Sequence, residues 1–321
     1  MNVWVEDDDV LFYLCRSGSF DENNTLLKQG RFRIRLTPNP FTGRSDFRQT
    51  LHLKDGYVSV TTPVGQMHIW VDVFHPVVHV EVETKEVTSM RVNYESWRTT
   101  DRVMNREEGR QCSYAGEWPG TAVTAHDSIL VGEENLTFFH RNASHTVVDA
   151  AIKQQGLESE ASHLYNPLRD LIFGGRISGD LIFSGTRRGH YCGTEYEAWI
   201  YKSRKPANRQ SFRITLHAAQ TAAVADWEAG LEKTERNCMR QRTKRRAAVG
   251  GMSFGNAVSC GRKEKRPMLH ATMTCIAIWQ PAMRSDNGRQ SPTEDCLRST
   301  LRLPDATRNS PPTTEREGRA R

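Results

Sequence analysis

The chain has 321 residues, a net charge of +6 and a mean hydropathy of −0.63, which is polar for a wholly globular chain of this length. No stretch approaches the ~18 apolar residues of a membrane helix. Acids stand where a signal peptide carries its basic start, so neither a transmembrane helix nor an export signal is expected in the sequence as written. The seven cysteines are scattered without close pairs, so free thiols are expected, with no metal and no cofactor.

The charge is divided along the chain. Residues 1–235 carry 26 Lys and Arg against 31 Asp and Glu, a net of −5, whereas residues 236–321 carry 18 against 7, a net of +11. The sequence pI near 9.0 therefore belongs to the tail.

In chain order the first part reads as strand after strand. Residues 10–14 form a short apolar run suited to a buried strand. Residues 31–36 alternate, with Phe32, Ile34 and Leu36 on one face and three arginines on the other. Pro38 and Pro40 end that strand. Residues 49–53 and 57–61 flank the Asp55-Gly56 hairpin signal. Further strands are expected over 67–73, 77–82 and 87–94, with Val58, Val60, Ile69, Val71, Val78 and Val80 in the core. Residues 101–125 read as a long polar loop, 128–131 and 136–140 as strands, and 145–165 as holding a short helix. A hairpin is expected over 176–184 with its turn near Ser178-Gly179-Asp180. Late strands follow at 198–201 and 212–216, then a helix over 221–235 that turns Ala225, Trp227 and Leu231 inward. Strands about ten residues apart with turns between them predict a mainly β, antiparallel sandwich.

Beyond Arg236 sustained periodicity is lost outside 268–279. Basic clusters alternate with Ser, Thr, Pro and Asn, a composition that predicts disorder. Two units are thus expected, a β-domain over 1–235 and a basic tail over 236–321.

Several segments carry a resemblance: Asn2-Val-Trp-Val-Glu6, Leu11-Phe-Tyr13, Asp21-Glu-Asn23, Pro38-Asn-Pro-Phe41, Trp97-Arg98, His140-Arg-Asn142, Asn166-Pro-Leu168, Phe173-Gly-Gly175 and Ala219-Gln-Thr221 with Trp227. In order and spacing they resemble an uncharacterised N-terminal domain of bacterial and fungal proteins. In those proteins the domain precedes a six-hairpin helical barrel of the α-L-fucosidase-like glycoside hydrolase type. The resemblance covers residues 2 to about 235 and implies a β-supersandwich of galactose-mutarotase type, with the general acid and base in the barrel. Phe20 stands where the family usually has tryptophan. A reading frame shifted by two bases over 248–258 permits WWxEFWxRS, and over 285–300 permits PTKSNGGLFTVD, both similar to the family's linker and barrel. The tail is therefore expected to be frameshifted or mis-spliced translation.

A sugar-binding surface needs aromatic platforms and planar polar groups. Asp21, Glu22 and Asn23 offer a polar cluster, which also reads as an Asx-type turn satisfying its own backbone. Trp97 and Arg98 offer an indole beside a guanidinium, or a core tryptophan with a snorkelling arginine. Phe173, Gly174 and Gly175 offer close backbone approach, or a tight turn or bulge. His75 before Pro76 is an imidazole at a turn, structural or a ligand. Glu81 and Glu83 read as solvated acids on one strand face. Sequons occur at Asn23, Asn135 and Asn142.

The function expected is that of an accessory sandwich from a carbohydrate-active protein, without the catalytic barrel. Its partners would be a glycan and that barrel, with no membrane and no specific nucleic acid. The alternative is a non-enzymatic β-domain whose +11 tail binds nucleic acid or anionic surfaces.

Overall fold

The computed structural model describes residues 1–43, 46–53, 55–111 and 122–245. The expectations for the tail beyond Arg245 lie outside the described residues. The strands are β1 (Asn2–Glu6), β2 (Asp9–Tyr13), β3 (Arg31–Thr37), β4 (Arg48–His52), β5 (Tyr57–Thr62), β6 (Gly65–Val71), β7 (Val77–Ser96), β8 (Arg102–Val103), β9 (Val123–Thr124), β10 (Asp127–Val131), β11 (Asn135–Arg141), β12 (Leu171–Gly179), β13 (Leu181–Tyr191), β14 (Thr194–Ser203) and β15 (Ala207–Gln220). The helices are α1 (Arg106–Gln111), α2 (Val147–Gln154) and α3 (Val224–Arg245), and a short 3-10 helix spans Glu158–His163. No helix among the described residues is long and apolar enough to cross a membrane.

Thirteen strands form one continuous antiparallel sheet that curls through β7. The first half of this 20-residue strand pairs with β6 and β15 and belongs to the order β4-β5-β6-β7-β15-β12-β11-β10. Its second half pairs with β3 and β14 and belongs to the order β1-β2-β3-β7-β14-β13. The two expected strands, 77–82 and 87–94, are therefore one. Thr84 Oγ1 donates to the Glu86 carbonyl, Asn208 Nδ2 to the carbonyls of Thr84 and Lys85, and Gln210 Nε2 to that of Thr88. Backbone acceptors at the bend are thereby kept satisfied without a second strand break.

Even positions of β7 face inward on both sides of the bend: Val78, Val80, Val82, Met90, Val92 and Tyr94 are all buried. They meet Phe32, Ile34 and Leu36 of β3, Val58 and Val60 of β5, and Met67 and Ile69 of β6 in one core. The sheets meet where Tyr94 stacks on Phe138 at 4.4 Å and Phe32 meets the same ring at 6.0 Å. Val71 is only half-buried, being the last residue of β6.

Two local expectations fail for identifiable reasons. Residues 176–184 make no hairpin, because β12 pairs with β11 and β15 whereas β13 pairs with β14. Gly179-Asp180 is a crossover between sheets. Ala225 is exposed; Val224, Trp227 and Leu231 form the inward stripe of α3, packing on Phe139 and Ile172 outside the eight-stranded sheet. Ala225 lies two residues from Trp227, which on a helix is the opposite face.

With Ile34 at the centre of the sandwich, Ile34→Val is expected to cost about 1 kcal/mol. Ile34→Asp, which strands a charge there, should cost several times more, on the order of 4 kcal/mol. Denaturant titrations of both variants check this, and soluble Ile34→Asp protein with a wild-type midpoint would exclude the placement.

Candidate functional site

Residues from all three sequence-predicted segments gather around His140 in β11. Its ring is buried between two carboxylates, with Nδ1 at 3.1 Å from Asp127 Oδ1 and Nε2 at 3.3 Å from Glu22 Oε2. Phe173 stacks on the ring at 5.1 Å. Arg98 Nε donates to Asp127 Oδ1 at 2.9 Å, and Ser96 Oγ donates to Asp127 Oδ2 at 3.0 Å. Burial disfavours the imidazolium, but the bonds to Asp127 and Glu22 outweigh it and hold the pKa up at about 9. Burial likewise works against the Glu22 and Asp127 charges. His140 for Glu22, and Arg98 with His140 for Asp127, pull both below the ordinary carboxylate range.

Asp21 plays a different part. Its Oδ1 accepts from the amides of Asn23 (3.0 Å) and Thr25 (2.7 Å), the Asx-type turn anticipated from the sequence. Burial, and then the Glu22 charge, push its carboxyl up to about 6. Asn23 Nδ2 donates to the Val123 carbonyl, and Ala125 N donates to Glu22 Oε1 at 2.7 Å. Asp21, Glu22 and Asn23 are at most 2% exposed, so their polar atoms face protein rather than solvent. The sequon residues Asn23 and Asn142 are buried as well, with the Asn142 amide donating to the carbonyls of Phe20 and Leu168. Gly174 and Gly175 serve strand packing. A Cβ on Gly174 would lie 2.0 Å from the Phe138 carbonyl oxygen, and one on Gly175 2.4 Å from that of Thr215.

The Arg98 guanidinium lies 5.5 Å from the Trp97 ring centroid, yet the two side chains have different further partners. Arg98 enters the buried network, while Trp97 turns to the outer face of the six-stranded sheet and meets Tyr13 edge-on at 5.9 Å. Tyr13 in turn packs on Trp4 at 5.0 Å. The arginines of β3 lie on this same face. Glu95 pairs with Arg31 and, at 2.7 Å, with Arg33; Asp9 pairs with Arg33 at 3.0 Å and Arg35 at 2.6 Å. Burial opposes the Arg33 charge, but Glu95 and Asp9 more than offset it and raise its pKa. Tyr191, at the tip of the β13–β14 hairpin, lies over Arg31 with ring and guanidinium 3.9 Å apart, and Tyr196 lies 4.8 Å away. The Tyr191 hydroxyl donates to Glu6 at 2.5 Å, as does Trp4 Nε1 at 3.2 Å. All five rings are half-buried. Arg31 Nη2 and Asn93 Oδ1 are buried without hydrogen-bond partners among the described residues.

A cavity of about 590 Å³ lies elsewhere, against β7, β12, β15 and α3. Several of its polar groups are paired, Arg176 with Thr137 and Glu232, Arg213 and Ser178 with Glu235, Arg209 with Glu83, while Gln210 Oε1 is buried without a partner among the described residues. Its one aromatic carbon ring, Phe212, is buried. The outer face of the six-stranded sheet, by contrast, carries five half-buried aromatic rings. Its members Trp4, Tyr13, Tyr191 and Tyr196 were missed because they lie on four strands that only the sheet order brings together. The alternation of arginines in β3 was the one local signal of a second organised face.

A family model described as "Domain of unknown function (DUF5703)" matches residues 1–249. No curated protein matches the chain.

The His140 network carries a pH signature. A folded-state pKa raised to about 9 gives a contribution fully present below the unfolded value near 6.5 and lost as pH rises through 9. Its upper limit is on the order of 3 kcal/mol. Asp21, raised to about 6, contributes only at lower pH and is silent in that window. The thermal midpoint is therefore expected to fall between pH 7 and 9.5, and His140→Gln to flatten that fall. Parallel pH profiles for the two proteins would remove His140 as the cause.

Proposed function

The chain belongs to the DUF5703 family through its N-terminal domain, and from that premise we propose that it is the non-catalytic, glycan-facing sandwich of a carbohydrate-active protein. The observation that carries this reading is the Trp4–Tyr13–Trp97 aromatic run beside the Arg31–Glu95–Arg33 ion pairs. Aromatic faces take the C–H side of a pyranose and polar groups at their edge take its hydroxyls; Arg33 is the partly exposed member of the ion-pair set, and the buried Arg31 and Glu95 brace it from beneath. The resemblance to fucosidase-like hydrolases points to the same class of ligand and assigns the acid–base pair to a following barrel.

The face itself is poorly equipped for glycosidic cleavage. A hydrolase of this kind needs two carboxyl groups flanking the bond, one of them able to deliver a proton. Here Glu95 and Asp9 are each shared between two arginines, and Glu6 accepts from Tyr191 and Trp4. These carboxylates position rings and guanidiniums.

Affinity electrophoresis and calorimetry with fucosylated and galactosylated oligosaccharides test the reading. Wild-type chain is expected to be retained. Trp97→Ala is expected to weaken binding at least tenfold while lowering the melting temperature by only a few degrees. Binding unaffected by Trp97→Ala, or turnover of synthetic fucosides or galactosides above blank, would overturn it.

A further inference from the structure

We propose that Asp72, His79 and Cys238 bind a divalent cation of the zinc class, tying α3 to the eight-stranded sheet. Asp72 follows β6, His79 lies in β7 and Cys238 lies in the second half of α3, yet one donor atom of each falls within 4.8 Å of the other two. Cys238 Sγ stands 3.8 Å from His79 Nε2 and 4.0 Å from Asp72 Oδ2. Tetrahedral zinc, with bonds of about 2.3 Å to sulfur and 2.0–2.1 Å to nitrogen, holds those two ligand types roughly 3.6 Å apart. The Cys238–His79 pair is thus within a few tenths of an ångström of that spacing, and Asp72 lies close enough to join it by a small side-chain movement.

The chemistry of the set is selective. A thiolate, an imidazole and a carboxylate are the side chains zinc takes, whereas magnesium and calcium prefer all-oxygen shells. The donors are also held in orientation. Asp72 Oδ1 accepts from the amides of Phe74 (2.7 Å) and His75 (2.9 Å), while Oδ2 is the oxygen nearest Cys238. The Trp70 indole stacks on the His79 ring at 4.0 Å and 13°, fixing its plane. Such outer contacts are what orient metal ligands. His79 and Cys238 are 2% and 3% exposed, and the Asp72 side chain is 17% exposed, giving an entry path from one side. Three protein donors leave a fourth position for water. Binding replaces the Cys238 S–H bond by a metal–sulfur bond and releases that proton to solvent.

The site is independent of the glycan-facing surface, which lies on the other sheet, so each stands or falls alone. The test uses the full chain, stripped with EDTA and titrated with cobalt(II), whose thiolate complexes absorb in the near ultraviolet. One equivalent is expected to produce a sulfur-to-cobalt band, and zinc is expected to displace it and raise the melting temperature. Cys238→Ser should abolish the band although the other six cysteines remain. Asp72→Asn, which keeps an acceptor at Oδ1, should weaken affinity at least tenfold and covers the case in which the serine variant fails to fold. A wild-type chain with no thiolate band and no thermal response to zinc would overturn the proposal. So would a band that survives in Cys238→Ser.

Discussion

Everything in this fold depends on β7 serving two sheets at once. A strand can cross from one sheet to the other only if its side-chain alternation is kept, because a slip of one residue would turn the whole second half inside out. The parity of Val78, Val80 and Val82 is continued by Met90, Val92 and Tyr94. The acceptors released at the bend are taken by Asn208 and Gln210 of β15. The same parity places Glu81 and Glu83 outside one sheet and Arg91, Asn93 and Glu95 outside the other. Glu83 meets Arg209 at the rim, but Glu95 meets two arginines of β3 at a position with no exposure. The outer face of the six-stranded sheet is thus a second packed layer built on charge.

Buried charges bring little net stability, since desolvation cancels much of their attraction, yet removing one partner is costly. The two networks here share that property and differ in composition. The one around His140 is closed: Glu22, Asp127, Arg98 and Ser96 satisfy one another, and Phe173 covers the ring. It joins the β2–β3 connection to β10 and β11, segments far apart in sequence, and so fixes their relative placement. The one around Arg31 and Glu95 is open at its edge, where half-buried rings replace a second protein layer. The closed network is a structural lock, whereas the open one has a surface to offer.

The contrast between them marks what could be read from the chain. Alternation in β3 and the Asp55-Gly56 turn are local, and they gave β3, β4 and β5 to within about a residue at each end, while the valine-rich run gave only the first part of β7. The break expected between residues 82 and 87 was wrong because polarity there reflects a sheet-to-sheet bend with side-chain bonds, which looks like a turn in one dimension. Gly179-Asp180 misled in the same way, since a crossover and a hairpin use similar residues. Asp21 to Asn23, Trp97 to Arg98 and Phe173 to Gly175 were recognisable as unusual. Their meeting at His140 was not, because Glu22 and His140 are 118 positions apart. Cys238 and His79 are 159 apart, beyond any spacing rule for metal ligands.

Helix α3 links these observations. Trp227 and Leu231 anchor its first half by burial on Phe139 and Ile172, a contact that depends on apolar area. From Glu235 onward the contacts change character: Glu235 binds Arg213 and Ser178, and Cys238 faces His79 and Asp72. The sequence around the second half is strongly basic and has few apolar residues to hold it down. A helix of that composition gains little from propensity alone. Its attachment must come from discrete polar contacts with β7 and β15, and a metal bridging Cys238 to the sheet would be the strongest of them. The family match extends to residue 249, past this whole stretch. The matched region therefore takes in both halves of α3.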